Sequence, residues 1–197
     1  MIVESNRQRS QRVICVLVNI FIFFGIFPKA ECQSRSSAEV ERRMVEIDAM
    51  LRKEPGNIRL TEKKIAGLHL LGRDLEASEL CDQSVNIGLD SAIVWYFKGY
   101  FKFKEGKWED SVRFLDKAFE KGSIESLGLK SLCLRKMNRN RECIEFATKY
   151  LQRFPDMAEL YFNRGMAMKS LNQDQKLVCS DLKRAAELNP SVRDSYV

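Results

Sequence analysis

Apolar residues recur at helical spacing through most of the chain after residue 55, and polar breaks interrupt them at regular intervals. The stretch 92–122, AIVWYFKGYFKFKEGKWEDSVRFLDKAFEKG, shows this most clearly. Its first apolar segment stops at Glu105, Gly106 and Lys107, and a second opens at Trp108 with Val112, Leu115, Ala118 and Phe119 on one face. That pattern predicts a helix, a tight turn and a second helix. Gly99 belongs to no turn, so its missing side chain predicts a close crossing of the two helices there, which the small Ala118 would also favour.

Two amphipathic helices cannot bury their apolar faces alone, and hairpins of this kind come in stacks. The turn glycine Gly106 has counterparts at Gly72, Asn138 and Asn172, separated by 34, 32 and 34 residues. All four are residue types that tolerate a left-handed backbone. Gly99 recurs as Ser131 and Gly165. In the second helices Ala77, Ser111, Cys143 and Val178 align, as do Ser84, Ala118, Tyr150 and Ala185. The expected fold class is therefore all-α, with a repeat period near 34.

At these positions the chain resembles the tetratricopeptide repeat family. Trp95 and Gly99 match the aromatic and small residues of its first helix, Gly106 and Trp108 its turn, and Ser111, Leu115 and Ala118 its second helix. Pro155 and Pro190 match its closing proline, while Leu89 and Ser123 stand in that place in the first two copies. The first copy also departs in having Thr61 and Ile65, and Tyr150 is large for its position. The resemblance implies a right-handed superhelical solenoid of four helix-turn-helix repeats, 58–90, 92–123, 124–156 and 158–190. It also implies that first helices line a groove for peptides or helices.

Before the repeats, residues 38–54 stand in phase with the second helices, since Ile47, Met50 and Pro55 lie 34 residues before Cys81, Ser84 and Leu89. This reads as a half repeat capping the stack. Residues 31–37 read as a polar linker, with Ser36 and Glu39 forming a capping box. At the other end only the tail 191–197 follows, leaving the face of Val178, Leu182, Ala185 and Leu188 without a further helix. The outer side carries Lys176, Asp181, Lys183 and Glu187.

The first thirty residues differ in kind. Arg7, Arg9 and Arg12 precede the uncharged run VICVLVNIFIFFGIF at 13–27, which Pro28 and Lys29 end. Fifteen helical residues reach about 22 Å, short of the roughly 30 Å hydrocarbon core. A signal peptide cleaved between Ala30 and Ser36 fits this layout best, with an uncleaved membrane anchor as the alternative and lipidation of Cys32 as a third. Each places the repeats outside the cytoplasm, in the periplasm and cell envelope or another extracytoplasmic compartment.

Charge then narrows the functional classes. Of the formal +6, residues 1–30 contribute +3, leaving 29 basic and 26 acidic residues in the body. That balance, with no recognition motif, argues against nucleic acid. His69 is the one histidine, and no CxxC or Cys/His cluster occurs, so neither a metal nor a cofactor is expected. Cys81, Cys133, Cys143 and Cys179 read as small core residues, with a disulfide as the sharper alternative. No nucleophile elbow or phosphate loop appears, which points to a non-enzyme.

What remains is a surface for a protein partner. The helix at 92–104 is apolar around more of its girth than one packed face needs, and Tyr96, Tyr100 and Phe103 fall beside its core face. In the same register Arg135 and Lys136, then Phe162, Met166 and Lys169, line the expected groove. Aromatic and basic patches side by side suit an extended or helical segment with an apolar anchor and acidic residues. The family's Lys and Asn clamp for chaperone tails does not match, because Glu62, Ala66, Tyr96 and Tyr100 occupy the corresponding faces. The expected role is an exported or membrane-tethered adaptor or scaffold. A structural subunit of a membrane-associated assembly, joined through its last helix or to a second copy, is the alternative.

Overall fold

A computed structural model describes residues 31–190. The N-terminal apolar run and the tail 191–197, with the expectations attached to them, lie outside the described residues. Among the described residues the chain forms nine helices and no strand. These are α1 (Glu31–Lys53), α2 (Ile58–Leu70), α3 (Asp74–Asn86), α4 (Ala92–Lys104), α5 (Trp108–Glu120), α6 (Ser126–Lys136), α7 (Asn140–Leu151), α8 (Ala158–Ser170) and α9 (Gln175–Leu188). They divide into two compact units, Met1–Ala77 and Ser78–Val197.

In the first unit α1 packs on α2. Val40, Met44 and Ile47, at helical spacing on one face of α1, are buried, whereas Met50 is exposed. A Cβ on Gly67 would lie 2.5 Å from the Met44 Sδ, so the two helices approach at that glycine. Thr61 and Ile65, the departures from the family pattern, are both core residues. The start of α1 needs correction. The polar stretch 31–37 is not a connector ahead of a Ser36 cap, because helix already begins at Glu31. Glu39 instead binds Arg42 at 2.9 Å and Arg43 at 2.6 Å one turn on, and these two cations pull its carboxyl down to about 2.

The second unit contains three complete hairpins, α4 with α5, α6 with α7, and α8 with α9. In each, the first-helix backbone comes close to the second helix. A Cβ on Gly99 would lie 2.8 Å from Leu115 Cδ2 and Cγ, and the Ser111 hydroxyl donates to the Gly99 carbonyl at 2.7 Å. In the next hairpin the Cys143 thiol donates to the Ser131 carbonyl at 3.3 Å. Gly165 faces Asp181 Cβ and Leu182 Cδ2, each at 3.2 Å from a built Cβ. Ser111, Cys143 and Val178, aligned by sequence period alone, are at most 1% exposed. Tyr150 is accommodated by an exchange of sizes: the third repeat has Ala147 where Leu115 stands and Tyr150 where Ala118 stands. Its ring then packs on Phe119 at 5.3 Å and Phe146 at 4.7 Å.

The turns inside the hairpins close identically. Gly72, Gly106, Asn138 and Asn172 have φ of 72°, 74°, 57° and 51°. In each, the following N–H bonds a carbonyl five residues back, as from Lys107 to Lys102 at 2.9 Å and from Arg139 to Leu134 at 2.9 Å. The left-handed turn thus satisfies carbonyls that the helix end would leave open.

Three of the four body cysteines fit the expectation of small core residues, and the fourth corrects it. Cys81, Cys133 and Cys143 are free thiols with no exposed surface, while Cys179 is free and exposed. Burial pushes the Cys81 and Cys143 thiols up to about 12 and that of Cys133 to about 11. Since the thiolate is the reactive form, neutral-pH alkylation of the folded chain, read by peptide mapping, should modify Cys179 within minutes. The three buried thiols should react only on unfolding. Fast labelling of Cys133 or Cys143 would contradict the packing of α6 and α7.

Candidate protein-binding face

The first helices of the second unit lie side by side, α4 against α6 and α6 against α8. The eight residues expected from the sequence to line a groove stand on these three helices in different states. Tyr96, Tyr100 and Phe103 are half-buried and pack on the core of Leu115, Leu129, Leu132 and Cys133. They serve the contact between successive repeats. Phe162 is 8% exposed and sits with Ala158 and Ala185, against which the half-buried Met166 also packs. Lys136 and Lys169 are exposed.

Arg135 joins the two groups. Its guanidinium lies 5.8 Å from the Phe162 ring centre, and its Nε donates to Asn163 Oδ1 at 3.2 Å. Asn163 is entirely buried and was not singled out from the sequence. Its amide nitrogen donates to Ser131 Oγ at 2.9 Å and to the Gly128 carbonyl at 3.3 Å. One side chain of α8 therefore fixes α6 at three points and holds Arg135 in place. A lone Asn between Phe162 and Gly165 on an otherwise packed helix was the available signal, since a buried amide demands partners.

Two acidic residues on this face were also missed. Glu125 stands at the N-terminus of α6, and Glu159 in the first turn of α8. Glu159 lies across Gly128, whose built Cβ would be 2.9 Å from Glu159 Cβ. Burial first, then Glu125, Tyr100 and Glu159, push the Tyr96 phenol well above its usual range.

Elsewhere the side chains close on one another. Trp95 stacks on Phe114 at 5.8 Å, donates its indole N–H to Asp90 at 2.6 Å and lies under Lys117 at 4.3 Å. Trp95, Asp90 and Lys117, with Val85, Glu120 and Lys121, line a cleft of about 300 Å³. Lys121, then Trp95, hold the Asp90 carboxyl below its usual range. His69 pairs with Asp74 at 2.7 Å across the first turn. Among the described residues no three His, Cys, Asp or Glu side chains gather as metal ligands. The outer side of α9 is corrected at Asp181, which is 6% exposed and accepts two bonds from Arg164, at 2.7 Å and 2.8 Å. Lys176, Lys183 and Glu187 are exposed.

Left-handed intra-repeat turns, a small residue at the crossing and a period near 34 together define a tetratricopeptide-repeat solenoid, and that is the fold of this chain. Solved structures agree. A crystal structure of MamA is similar at 17% identity, with 86% of this chain and 99% of that one covered and a TM-score of 0.65. MamA from Desulfovibrio magneticus RS-1, residues 41 to the end, covers 95% of each chain at 15% identity and a TM-score of 0.60. YrrB, described as a TPR protein with an unusual peptide-binding site, is 16% identical over 82% of this chain and 85% of its own, with a TM-score of 0.62. No family model and no curated protein matches the sequence.

Proposed function

We propose that the chain is a non-enzymatic adaptor that holds a segment of a partner protein along its first-helix face, outside the cytoplasm, either exported or tethered by its N-terminus. The observation that carries this reading is the face itself. Three half-buried aromatic rings, Tyr96, Tyr100 and Phe103, lie on the same helix layer as Arg135, which Asn163 and Phe162 hold rigid. Rigid aromatic and Arg anchors concentrate binding energy. Peptide binding by YrrB, a chain of the same fold, supports the choice of partner class. Export rests on the sequence: Arg7, Arg9 and Arg12 ahead of the uncharged run at 13–27. No helix among the described residues is long and apolar enough to cross a membrane.

The structural-subunit reading keeps one specific observation. Leu177 of α9 is 56% exposed and Leu171 just before it 37%.

The experiment is affinity capture from native membranes with C-terminally tagged full-length protein, beside a Lys136→Glu, Lys169→Glu variant. Both lysines are exposed and lack an ion pair among the described residues, so the variant should fold as the parent does, which circular dichroism verifies. A partner held by the parent and lost from the variant is the expected result. A partner kept by that variant but lost on Leu177→Asp would replace the groove by the last helix.

A further inference from the structure

The last hairpin ends on a face that the earlier hairpins cover. In the second unit the second helices α5 and α7 each pack on two first helices, α5 on α4 and α6, and α7 on α6 and α8. Helix α9 packs on α8, and no helix follows it among the described residues. Tyr96 and Tyr100 of α4 pack on a core that includes Leu129 and Leu132 of the next first helix, and Phe162 and Met166 are their counterparts in α8, 66 residues on. With Leu182 and Leu188 of α9, Phe162 and Met166 form one apolar cluster, in which Met166, Leu182 and Leu188 are only partly buried. Arg135 borders it, 5.8 Å from the Phe162 ring centre. The apolar end of a solenoid calls for a cover.

Residues 191–197, SVRDSYV, follow at once. By the repeat period they begin where a further first helix would, yet Asp194 and Ser195 stand at the positions of Leu160 and Tyr161, so they cannot rebuild the packing of one. They do offer Val192 and Tyr196, four residues apart, which share a face in an extended and in a helical chain alike. Leu188, just before Pro190, already belongs to the cluster, and Met166 lies about 6 Å beyond Phe162 along α8. An extended chain advances about 20 Å in the six residues from Pro190 to Tyr196, so Tyr196 reaches both. In that form Asp194 points to the same side as Val192 and Tyr196. We infer that residues 191–197 fold back on this face and cap the stack, with Val192 and Tyr196 against Phe162, Met166 and Leu182 and with Asp194 at Arg135. Where the groove reading above holds, the cap occupies the Arg135 end of the groove and a partner that uses Arg135 has to displace it. The cap itself stands apart from that reading, and its test uses no partner.

The test is trypsin cleavage of the folded full chain after Arg193, read as loss of residues 194–197 from the intact mass. Docking keeps the bond from the protease, so the parent should be cut about tenfold more slowly than Met166→Gln or Tyr196→Ser. Met166→Gln leaves the cleaved sequence untouched, and circular dichroism verifies that both variants keep the helix content of the parent. A synthetic peptide of residues 188–197 supplies the rate of a free tail, which both variants should approach. Equal rates in parent, variants and peptide would overturn the inference. Protection lost with Tyr196→Ser but kept with Met166→Gln would move the tail to another surface and overturn the choice of this face. Protection that fades on dilution, with light scattering showing a dimer that dissociates, would replace the tail by a second copy.

Discussion

Gly99→Val should destabilise the second unit more than any surface change, by about 3 kcal/mol, through overpacking at a crossing that has no slack. The first added carbon already falls 2.8 Å from two Leu115 atoms and 3.3 Å from the Ser111 carbonyl oxygen. Leu115 is 1% exposed and cannot swing aside, and the Ser111 carbonyl is part of the α5 backbone. The helices must separate, which also weakens the 2.7 Å bond from Ser111 to the Gly99 carbonyl. Replacing glycine within a helix ordinarily gains stability, about 1 kcal/mol for alanine and less for β-branched valine, so a loss reports the crossing and not the propensity. Urea unfolding followed by circular dichroism would read it. Combining Gly99→Ala with Leu115→Ala tests the cause: the pair should be less destabilised than the two single changes summed, by about 1–2 kcal/mol. Simple additivity would mean that the two residues do not meet.

Asn163→Leu should cost about 2–4 kcal/mol although leucine keeps the branched shape of asparagine, because hydrogen bonds are lost and the bulkier methyls must fit a fully buried site. Asn163 has no exposed surface and bonds Ser131, the Gly128 carbonyl and Arg135. With leucine there, Ser131 loses a partner in a place that water cannot reach, Arg135 loses its bond to the amide, and α8 loses its polar tie to α6. The same change should weaken binding of any peptide whose affinity depends on Arg135, even at temperatures where the variant is folded. Unfolding midpoints and peptide titrations below the midpoint separate the two effects. A variant as stable as the parent would show that the amide network contributes no net stability.

The hairpins were legible in the chain because their determinants are local and repeated. A glycine or asparagine at each intra-repeat turn answers a positive φ, and the small residues at 111 and 143 answer a close helix crossing. Periodicity multiplies each weak signal by the number of copies. The expected groove was legible only as a set of positions. Tyr96, Tyr100, Phe103, Arg135, Lys136, Phe162, Met166 and Lys169 follow from helical register, but register cannot say which side chains the neighbouring repeat covers. Hence Phe162 is nearly enclosed and Arg135 is engaged by Asn163, while Lys136 and Lys169 are open. Asp181 and Cys179 were misplaced for the same reason. An Asp on a terminal helix ordinarily faces water, yet Arg164 draws this one inward, and the exposed side of α9 has room for a thiol.

Fold class, repeat length, turn positions and the character of residues 1–30 as an apolar run behind three arginines were determined by the sequence alone. Each depends on the order of residues within about one period. Helix α1 starting at Glu31, the Asn163 tie between α6 and α8, and the approach of Glu159 to Gly128 were decided only in three dimensions. The two interhelix contacts join residues 31–35 positions apart on different helices, and whether such groups meet depends on the shape of everything packed between them.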